Sequence, residues 1–278
     1  MDVQCSRSLA RAACALALLA HSATGLAADP PIDPEGLLQR IRSKVVARLS
    51  QLPNYTCRET IDRYLRRPSA ELRPIDRVEL EVAFVGNREM YAPPGGEFED
   101  GHASRLVHSG TISDGEYGTH MVSLFRTDHA SFQFAGTGKK DGHRTYKYDF
   151  RMPQEKSNFL LKHDAAEGIV GYRGSFWVDT ATLDLVRLEI KAEHIPAYIG
   201  IDSVSETMRY EMIQAGGAEF LLPQTSELAV WFEGGNYSLN IVRLERCREY
   251  TGESSVAFGA VQGSSDRQKT DPGAAEKK

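Results

Sequence analysis

The stretch GYRGSFWVDTATLDLVRLEIKA, residues 171–192, decides the fold because it predicts a complete β-hairpin. Residues with alternating polarity lie on both sides of Asp179–Thr182, a short run of turn-forming residues. On the returning strand, Val186, Leu188 and Ile190 alternate with charged side chains. The stretch therefore predicts two antiparallel strands with one apolar face.

The same period of two recurs along most of the chain from Tyr55 to Phe258. In each run one face is apolar and the other is polar or charged, as in an antiparallel sheet covered on one side. The apolar positions of four further runs are Val78, Leu80, Val82 and Phe84; Tyr146, Tyr148, Phe150 and Met152; Met208, Tyr210 and Met212; and Leu239 and Ile241. Short connections, many of them marked by glycine, leave no room for a helix after each strand. We therefore predict an α+β fold that is mainly β, with one curved antiparallel sheet.

Two helices are predicted to cover this sheet. Asp33-Pro34-Glu35 has the composition of a helix start, and the apolar residues that follow recur at helical spacing until Pro53. This pattern predicts an N-terminal amphipathic helix over residues 34–51. A second, short inner helix is predicted within Gly115–Arg126, where Met121, Leu124 and Phe125 have helical spacing.

The two ends of the chain have different compositions from its middle. Residues 1–27 combine Arg7 and Arg11 with a short apolar run and small residues, which predicts a secretory signal peptide rather than a retained transmembrane segment. Residues 259–278 contain little that could be buried and predict a disordered tail. The remainder, residues 33–258, is predicted to be a single β-rich domain. The protein is then exported, to the periplasm or beyond.

The cysteine count agrees with export. Cys5 and Cys14 lie in the predicted signal peptide, which leaves Cys57 and Cys247. An isolated even pair in an oxidising compartment predicts a disulfide, and both cysteines lie in segments with strand character. We therefore expect the first and last strands to be neighbours. Two buried free thiols are the alternative.

Composition and motifs exclude several classes of function. The formal net charge is −5 and the isoelectric point is about 5.9, which does not suit a nucleic-acid binder. The basic stretches Arg63–Arg67 and Arg243–Arg248 contain acidic or apolar residues and predict solvated strand faces. No catalytic elbow, metal-binding motif or phosphate loop occurs in the sequence. We predict a protein that is not an enzyme and that uses no cofactor or metal, with a hydrolase of dispersed catalytic residues as a remaining alternative.

Large apolar side chains concentrate on the predicted strands. Two explanations are open: they form the core between sheet and helix, or they line an apolar pocket on an incompletely filled concave face. Aromatic and methionine side chains suit a pocket because they offer a large contact surface without demanding hydrogen bonds. The candidate pocket residues are Tyr146, Tyr148, Phe150, Tyr172, Phe176, Met208 and Tyr210.

The hairpin motif also carries a family resemblance. Gly174-Ser175-Phe176-Trp177-Val178-Asp179, with Thr182 and the Val186-Arg187 pair that follows, resembles a recurrent pattern of the periplasmic lipoprotein-localisation (LolA/LolB-like) superfamily. Segments 52–60, 115–118, 220–223 and 247–250 resemble a set of uncharacterised secreted bacterial proteins. The first resemblance implies a half-open β-barrel with helices over an apolar cavity for acyl chains. It also implies that some relatives with this fold bind a membrane-anchored partner.

These observations support two hypotheses. The first is a periplasmic, non-enzymatic carrier or binder of lipid or lipidated protein, with the N-terminal helix as part of a lid. The second is an envelope sensor or scaffold that binds another protein and has no small-molecule ligand.

Overall fold

The computed structural model describes residues 32–86, 88–100, 102–107, 109–115, 118–215 and 218–249. The predicted signal peptide and the predicted tail lie outside these residues, and the predicted domain boundary at residue 258 lies beyond the last of them. Among the described residues, helix α1 spans Pro34–Gln51 and helix α2 spans Thr119–Phe125. Both predicted helices are present, and α1 has the predicted bounds.

Twelve strands are present in the described part of the chain. The first six are β1 Tyr55–Arg66, β2 Arg73–Val85, β3 Arg88–Ala92, β4 Glu99–Asp100, β5 Ser131–Lys140 and β6 His143–Met152. The other six are β7 Phe159–His163, β8 Ala166–Asp179, β9 Leu185–Glu193, β10 Ile201–Ala215, β11 Ala218–Phe232 and β12 Tyr237–Glu249.

All strand pairs in the described residues are antiparallel, and the sheet is open. Its order is β4-β3-β2-β1-β12-β11-β10-β9-β8-β6-β5, with β7 paired to β8 beyond the end of β6. Neighbours in sequence are mostly neighbours in space, except that β1 pairs with β12. Strands β4 and β5 lie at opposite ends of this order, so the sheet does not close. The predicted fold class, an antiparallel sheet covered by helices, is confirmed.

The two helices cover one face of the sheet, which we call the inner face. The register of the strands shows which residues lie on it. Because directly opposed residues share a face, one row of inner-face residues can be followed from strand to strand. It consists of Leu188, Met208, Ser226, Val242, Ile61 and Val78. Buried residues of α1 and α2 pack in the same cluster as Leu188 and Met208, which places both helices on this face.

The motif of the β8–β9 hairpin is explained by its geometry. A Cβ on Gly174 would meet the backbone of Glu189 and lie 2.7 Å from Cζ of Phe150, so only glycine fits there. Asp179 Oδ1 accepts hydrogen bonds from the backbone N–H groups of Ala181 (2.8 Å) and Thr182 (3.0 Å). Burial alone raises the pKa of Asp179, but hydrogen bonds from Thr182, His143 and Ala181 outweigh it and lower the pKa. In this motif Gly174 allows the two strands to pack closely, and Asp179 accepts the hydrogen bonds of the turn.

The first and last strands of the domain are joined covalently. Cys57 on β1 and Cys247 on β12 form a disulfide with a Cα–Cα distance of 4.1 Å. It lies where the pairing of β1 with β12 shifts register, and Arg246 beside it has a positive φ of 54°. The two cysteine-containing strands are neighbours, as the sequence predicted.

Candidate functional site

All seven predicted pocket residues lie together on the inner face. Six of them are buried members of one apolar cluster, and Tyr146 is partly buried and packs against it. We call this the inner apolar cluster. Its buried members from the sheet are Tyr148, Phe150, Met152, Tyr172, Phe176, Val178, Leu185, Leu188, Ile190, Met208, Tyr210 and Leu221.

Aromatic rings make the inner apolar cluster continuous across several strands. Tyr148 stacks on Phe176 at 5.4 Å between ring centroids, and Phe176 meets Phe125 of α2 edge to face at 5.2 Å. Phe134 of the edge strand β5 contacts Tyr148 at 5.2 Å, and Phe150 contacts Tyr172 at 6.2 Å. The result is an apolar surface that extends from the edge of the sheet to its centre.

Helix α1 covers this cluster and is attached to the sheet by few polar contacts. Leu37, Ile41, Val45 and Leu49 face the cluster and are buried. The Tyr148 hydroxyl donates a 2.6 Å hydrogen bond to the carbonyl of Pro34 near the start of the helix.

The second half of α1 carries cations that reach the hairpin turn beside it. Arg48 donates to both carboxylate oxygens of Asp184, at 3.0 and 3.1 Å, and Lys44 lies 3.7 Å from the same group. The hydrogen bond that Arg48 donates to Asp184, opposed by burial, raises the pKa of Arg48. Partly exposed ion pairs of this kind contribute little, about 0–1 kcal/mol. Most of the adhesion of α1 is therefore apolar.

The described residues of segment 102–126, which include α2, cover the neighbouring part of the inner face; we call them the covering segment. The Arg63 guanidinium donates to the carbonyl of Ser109, and the Asn240 amide donates to the carbonyl of Thr111 at 2.7 Å. Glu89 accepts from the backbone N–H of Gly115 at 2.8 Å. These bonds attach an otherwise irregular segment to strands β1, β12 and β3.

Helix α2 is attached by its own side chains. His120 Nε2 lies 3.0 Å from Glu206 Oε2, and both side chains are buried. Ser123 Oγ lies 3.2 Å from the Tyr172 hydroxyl. Burial raises the pKa of Tyr172, although its bond with Ser123 opposes the shift. The phenol is therefore neutral at physiological pH and remains available as a hydrogen-bonding partner.

The inner apolar cluster is filled by its own side chains in this structure. A cavity of about 10 Å³ adjoins it between α1 and the β8–β9 turn, which is room for about one water molecule. Apolar lining residues from the cluster include Val45, Leu49 and Met121, and none of the seven predicted pocket residues lines it. Sites for drug-sized ligands measure about 300–1,000 Å³. A ligand of lipid size can enter only if α1 and the covering segment move away from the sheet.

A row of polar side chains on the inner face, three of them buried, was not predicted. Three of its residues are polar and almost fully buried: Glu206, Asn240 and Arg63. The row crosses six strands through Ile190, Glu206, Leu228, Asn240, Arg63 and Asp76. Arg63 makes two hydrogen bonds to the Asp76 carboxylate, at 2.7 and 2.6 Å. We call Glu206, Asn240, Arg63 and Asp76 the inner polar row.

Three sequence predictions about individual positions were wrong. Leu239 and Ile241 were expected on the covered face of β12, but Asn240 and Val242 are the buried residues there. Both faces of this strand carry apolar residues, so alternation alone could not distinguish them. Met212, expected to be covered, is 40% exposed, beyond the register shift at Arg209.

Arg63 is the third correction. It was placed on a solvated strand face, yet its side chain is only 4% exposed. The signal was present in the sequence, because Arg63 has the same parity as Cys57 and Ile61 and therefore shares their face. The Asp76 carboxylate and the carbonyl of Ser109 compensate for the buried charge.

Two negative findings apply to the described residues. They contain no group of three or more histidine, cysteine, aspartate or glutamate side chains placed to hold a metal ion. None of their helices combines the length and the apolar character that a membrane span requires.

Comparisons with known proteins give structural likenesses only. No protein-family model matches the sequence, and no curated protein matches it. A LolA superfamily protein from Nitrosomonas europaea is 11% identical, with a TM-score of 0.43, and the match covers 77% of this chain and 93% of that one. A DUF1329 family protein from Desulfovibrio piger is 12% identical, with a TM-score of 0.42, covering 80% and 97%.

A third solved structure is a putative outer membrane lipoprotein-sorting protein domain from Vibrio parahaemolyticus. It is 13% identical, with a TM-score of 0.42, and the match covers 80% of this chain and 95% of that one. The first of these structures is a protein of the superfamily that the hairpin motif resembles. We draw no functional conclusion from likenesses at this level.

Proposed function

We propose that the protein is an exported, non-enzymatic carrier or binder of acyl chains, from a lipid or a lipidated protein, and that the chains occupy the inner apolar cluster. The observation that supports this most directly is a continuous aromatic and aliphatic surface beneath helix α1, which is attached to the sheet by few polar contacts. Acyl chains need contact surface rather than hydrogen bonds, which this surface offers.

Binding requires that α1 and the covering segment move away from the sheet. The 10 Å³ cavity is far smaller than an acyl chain. It lies at the boundary between α1 and the β8–β9 turn, where Leu185 and Leu221 of the cluster are part of the lining. In this proposal the helix separates along that boundary, and the ligand then takes over the apolar contacts that the helix makes in the closed state.

Export is the second part of the proposal. A disulfide between Cys57 and Cys247 suits an oxidising compartment such as the periplasm. The composition of residues 1–27 predicts the signal that would direct the chain there. Partners in that compartment would be membrane lipids or the acyl chains of lipoproteins.

The experiment is a binding titration with a fluorescent fatty acid, together with mass spectrometry of lipids that co-purify with the exported protein. Phe134→Asp places a charge at the edge of the inner apolar cluster, where Phe134 is half-buried against Tyr148. Gln133→Asp is the matched control, because Gln133 is exposed on the opposite face of the same strand.

We expect the native protein and Gln133→Asp to bind the probe equally. Phe134→Asp should bind at least about tenfold more weakly, because an unpaired charge is costly in an apolar site. Circular dichroism checks that the variants are folded. Absence of both co-purified lipid and probe binding in the native protein would overturn the proposal. A stable protein partner recovered by crosslinking, without lipid, would favour the sensor or scaffold hypothesis instead.

A further inference from the structure

Two side-chain oxygen atoms, one in the inner polar row and one beside it, are buried without a hydrogen bond among the described residues. Within the described part of the chain, Oδ1 of Asn240 has no hydrogen-bond partner, and neither has Oγ of Ser226. Both residues are almost completely buried, at 1% and 3% exposure. Leaving such a group unsatisfied is costly because its hydrogen bonds to water are lost on burial, so native folds rarely retain one without a use.

These two residues lie close together on the inner face. Ser226 is on β11, between Glu206 on β10 and Asn240 on β12, and is diagonal to both in the register. Diagonal neighbours in a sheet are about 7–8 Å apart, within reach of one small polar group. The covering segment lies above both ends of this arrangement, through His120 at Glu206 and Thr111 at Asn240.

The same position adjoins the inner apolar cluster. Ser226 is directly opposite Met208, a buried member of that cluster, and Glu206 is two residues before Met208 on the same strand. A molecule lying across this boundary would meet apolar rings on one side and buried oxygen atoms on the other. An amphiphile has this distribution of polarity.

We propose that Ser226 and Asn240, beside Glu206, form a subsite for the head group of the bound amphiphile, and that this head group presents O–H or N–H donors and carries no negative charge. The amide oxygen of Asn240 and the carboxylate of Glu206 accept hydrogen bonds, and the Ser226 hydroxyl can accept one as well. Arg63, the cation of the row, is held by Asp76, so the subsite offers acceptors rather than a free positive charge. The subsite rests on the proposed acyl-binding function and specifies which amphiphiles it selects.

The test compares four probes that share one acyl chain: a monoacylglycerol, a fatty amine, a fatty acid and a fatty acid methyl ester. Each competes with the fluorescent fatty acid for the full-length exported protein. The variants are Ser226→Ala and Asn240→Leu, and the matched control is Ser205→Ala, an exposed serine on the other face of β10. Thermal unfolding of each variant is measured alongside.

The native protein should bind the monoacylglycerol or the amine about tenfold more tightly than the methyl ester, as one or two satisfied buried acceptors would give. The fatty acid should show no such preference. Ser226→Ala should remove most of the preference without lowering stability, because it deletes a hydroxyl that has no hydrogen-bond partner among the described residues. Ser205→Ala should leave the preference unchanged. Asn240→Leu should also remove the preference for the monoacylglycerol or the amine. The unfolding measurement checks that this variant is folded.

Separate results would overturn the two proposals. If all four probes bind equally and Ser226→Ala changes nothing, acyl binding stands and the head-group subsite is wrong; the buried oxygens then serve ordered water. Preference for the fatty acid would equally refute the subsite. If no probe binds, the proposed function itself fails. Preference for the amine over the monoacylglycerol would identify an ammonium head group, and the reverse would identify a hydroxyl.

Discussion

Replacing Gly174 by alanine should destabilise the domain strongly, because the added methyl group has no space. A Cβ at this position would lie 2.7 Å from Cζ of Phe150 and 2.9 Å from the carbonyl carbon of Glu189, with the Glu189 oxygen closer still. The Glu189 atoms belong to the backbone of β9, which pairs directly with β8. Relief therefore requires the neighbouring strands β8 and β9 to separate locally, and a rotamer change cannot provide it.

The expected loss is about 3 kcal/mol or more of the free energy of unfolding, at the upper end of what overpacking costs. For a domain of this size that corresponds to a decrease of about 6–12 °C in melting temperature. Urea unfolding followed by circular dichroism measures the difference. A lower midpoint with an unchanged slope would show that stability, rather than the compactness of the unfolded state, has changed.

Gly138→Ala is the matched control for this prediction. Gly138 lies on the edge strand β5, and a Cβ there meets no atom within 4 Å. Alanine should be neutral or stabilising by about 0.4–1 kcal/mol, because it restricts the unfolded chain. If the two variants differ by less than about 0.5 kcal/mol, within the usual range of surface substitutions, the steric account of the hairpin motif is refuted.

Two further predictions concern β1 and β12, the strands that the disulfide joins. Replacing both Cys57 and Cys247 by alanine should lower the free energy of unfolding by up to about 5 kcal/mol, since the bond closes a loop of 190 residues. Urea unfolding with and without reductant measures this loss. No difference in the free energy of unfolding would contradict the prediction. Hydrogen bonds from Arg77 and Arg243 lower the pKa of Asp62. Its stabilisation is therefore present above the ordinary pKa of about 3.9 and lost as the pH falls through the lower, folded value. Asp62→Asn should unfold more easily than the native protein at pH 7, and this difference should decrease as the pH is lowered through the folded pKa; a difference that is independent of pH would refute this.

Much of the candidate site could be predicted from local pattern. The alternation around Tyr148, Phe176 and Met208 placed each of them on the apolar face of its strand, and the structure brings them together. The state of the site could not be predicted in this way. Whether a concave face is open or filled depends on how buried side chains from both helices and five strands share one volume, which no single segment encodes.

The buried polar residues were missed for a related reason. His120 and Glu206 are 86 residues apart, and Asn240 and Thr111 are 129 apart. A polar residue on an apolar face becomes a buried group only when a distant segment covers it. Arg63 illustrates the point, because its parity with Cys57 was visible in the sequence but the Ser109 carbonyl that helps to bury it was not.

The sequence by itself determined most of the strands, the two helices, the β8–β9 turn and the pairing of the first strand with the last. These depend on interactions between residues close in sequence, or on a covalent bond between the two cysteines outside the predicted signal peptide. Only the tertiary structure decided which face of β12 is covered, that the inner apolar cluster is closed, and that a polar row adjoins it. These features arise where the covering segment and α1 meet strands far away in the sequence. A period of two defines the two faces of a strand, but burial is decided by what packs against each face.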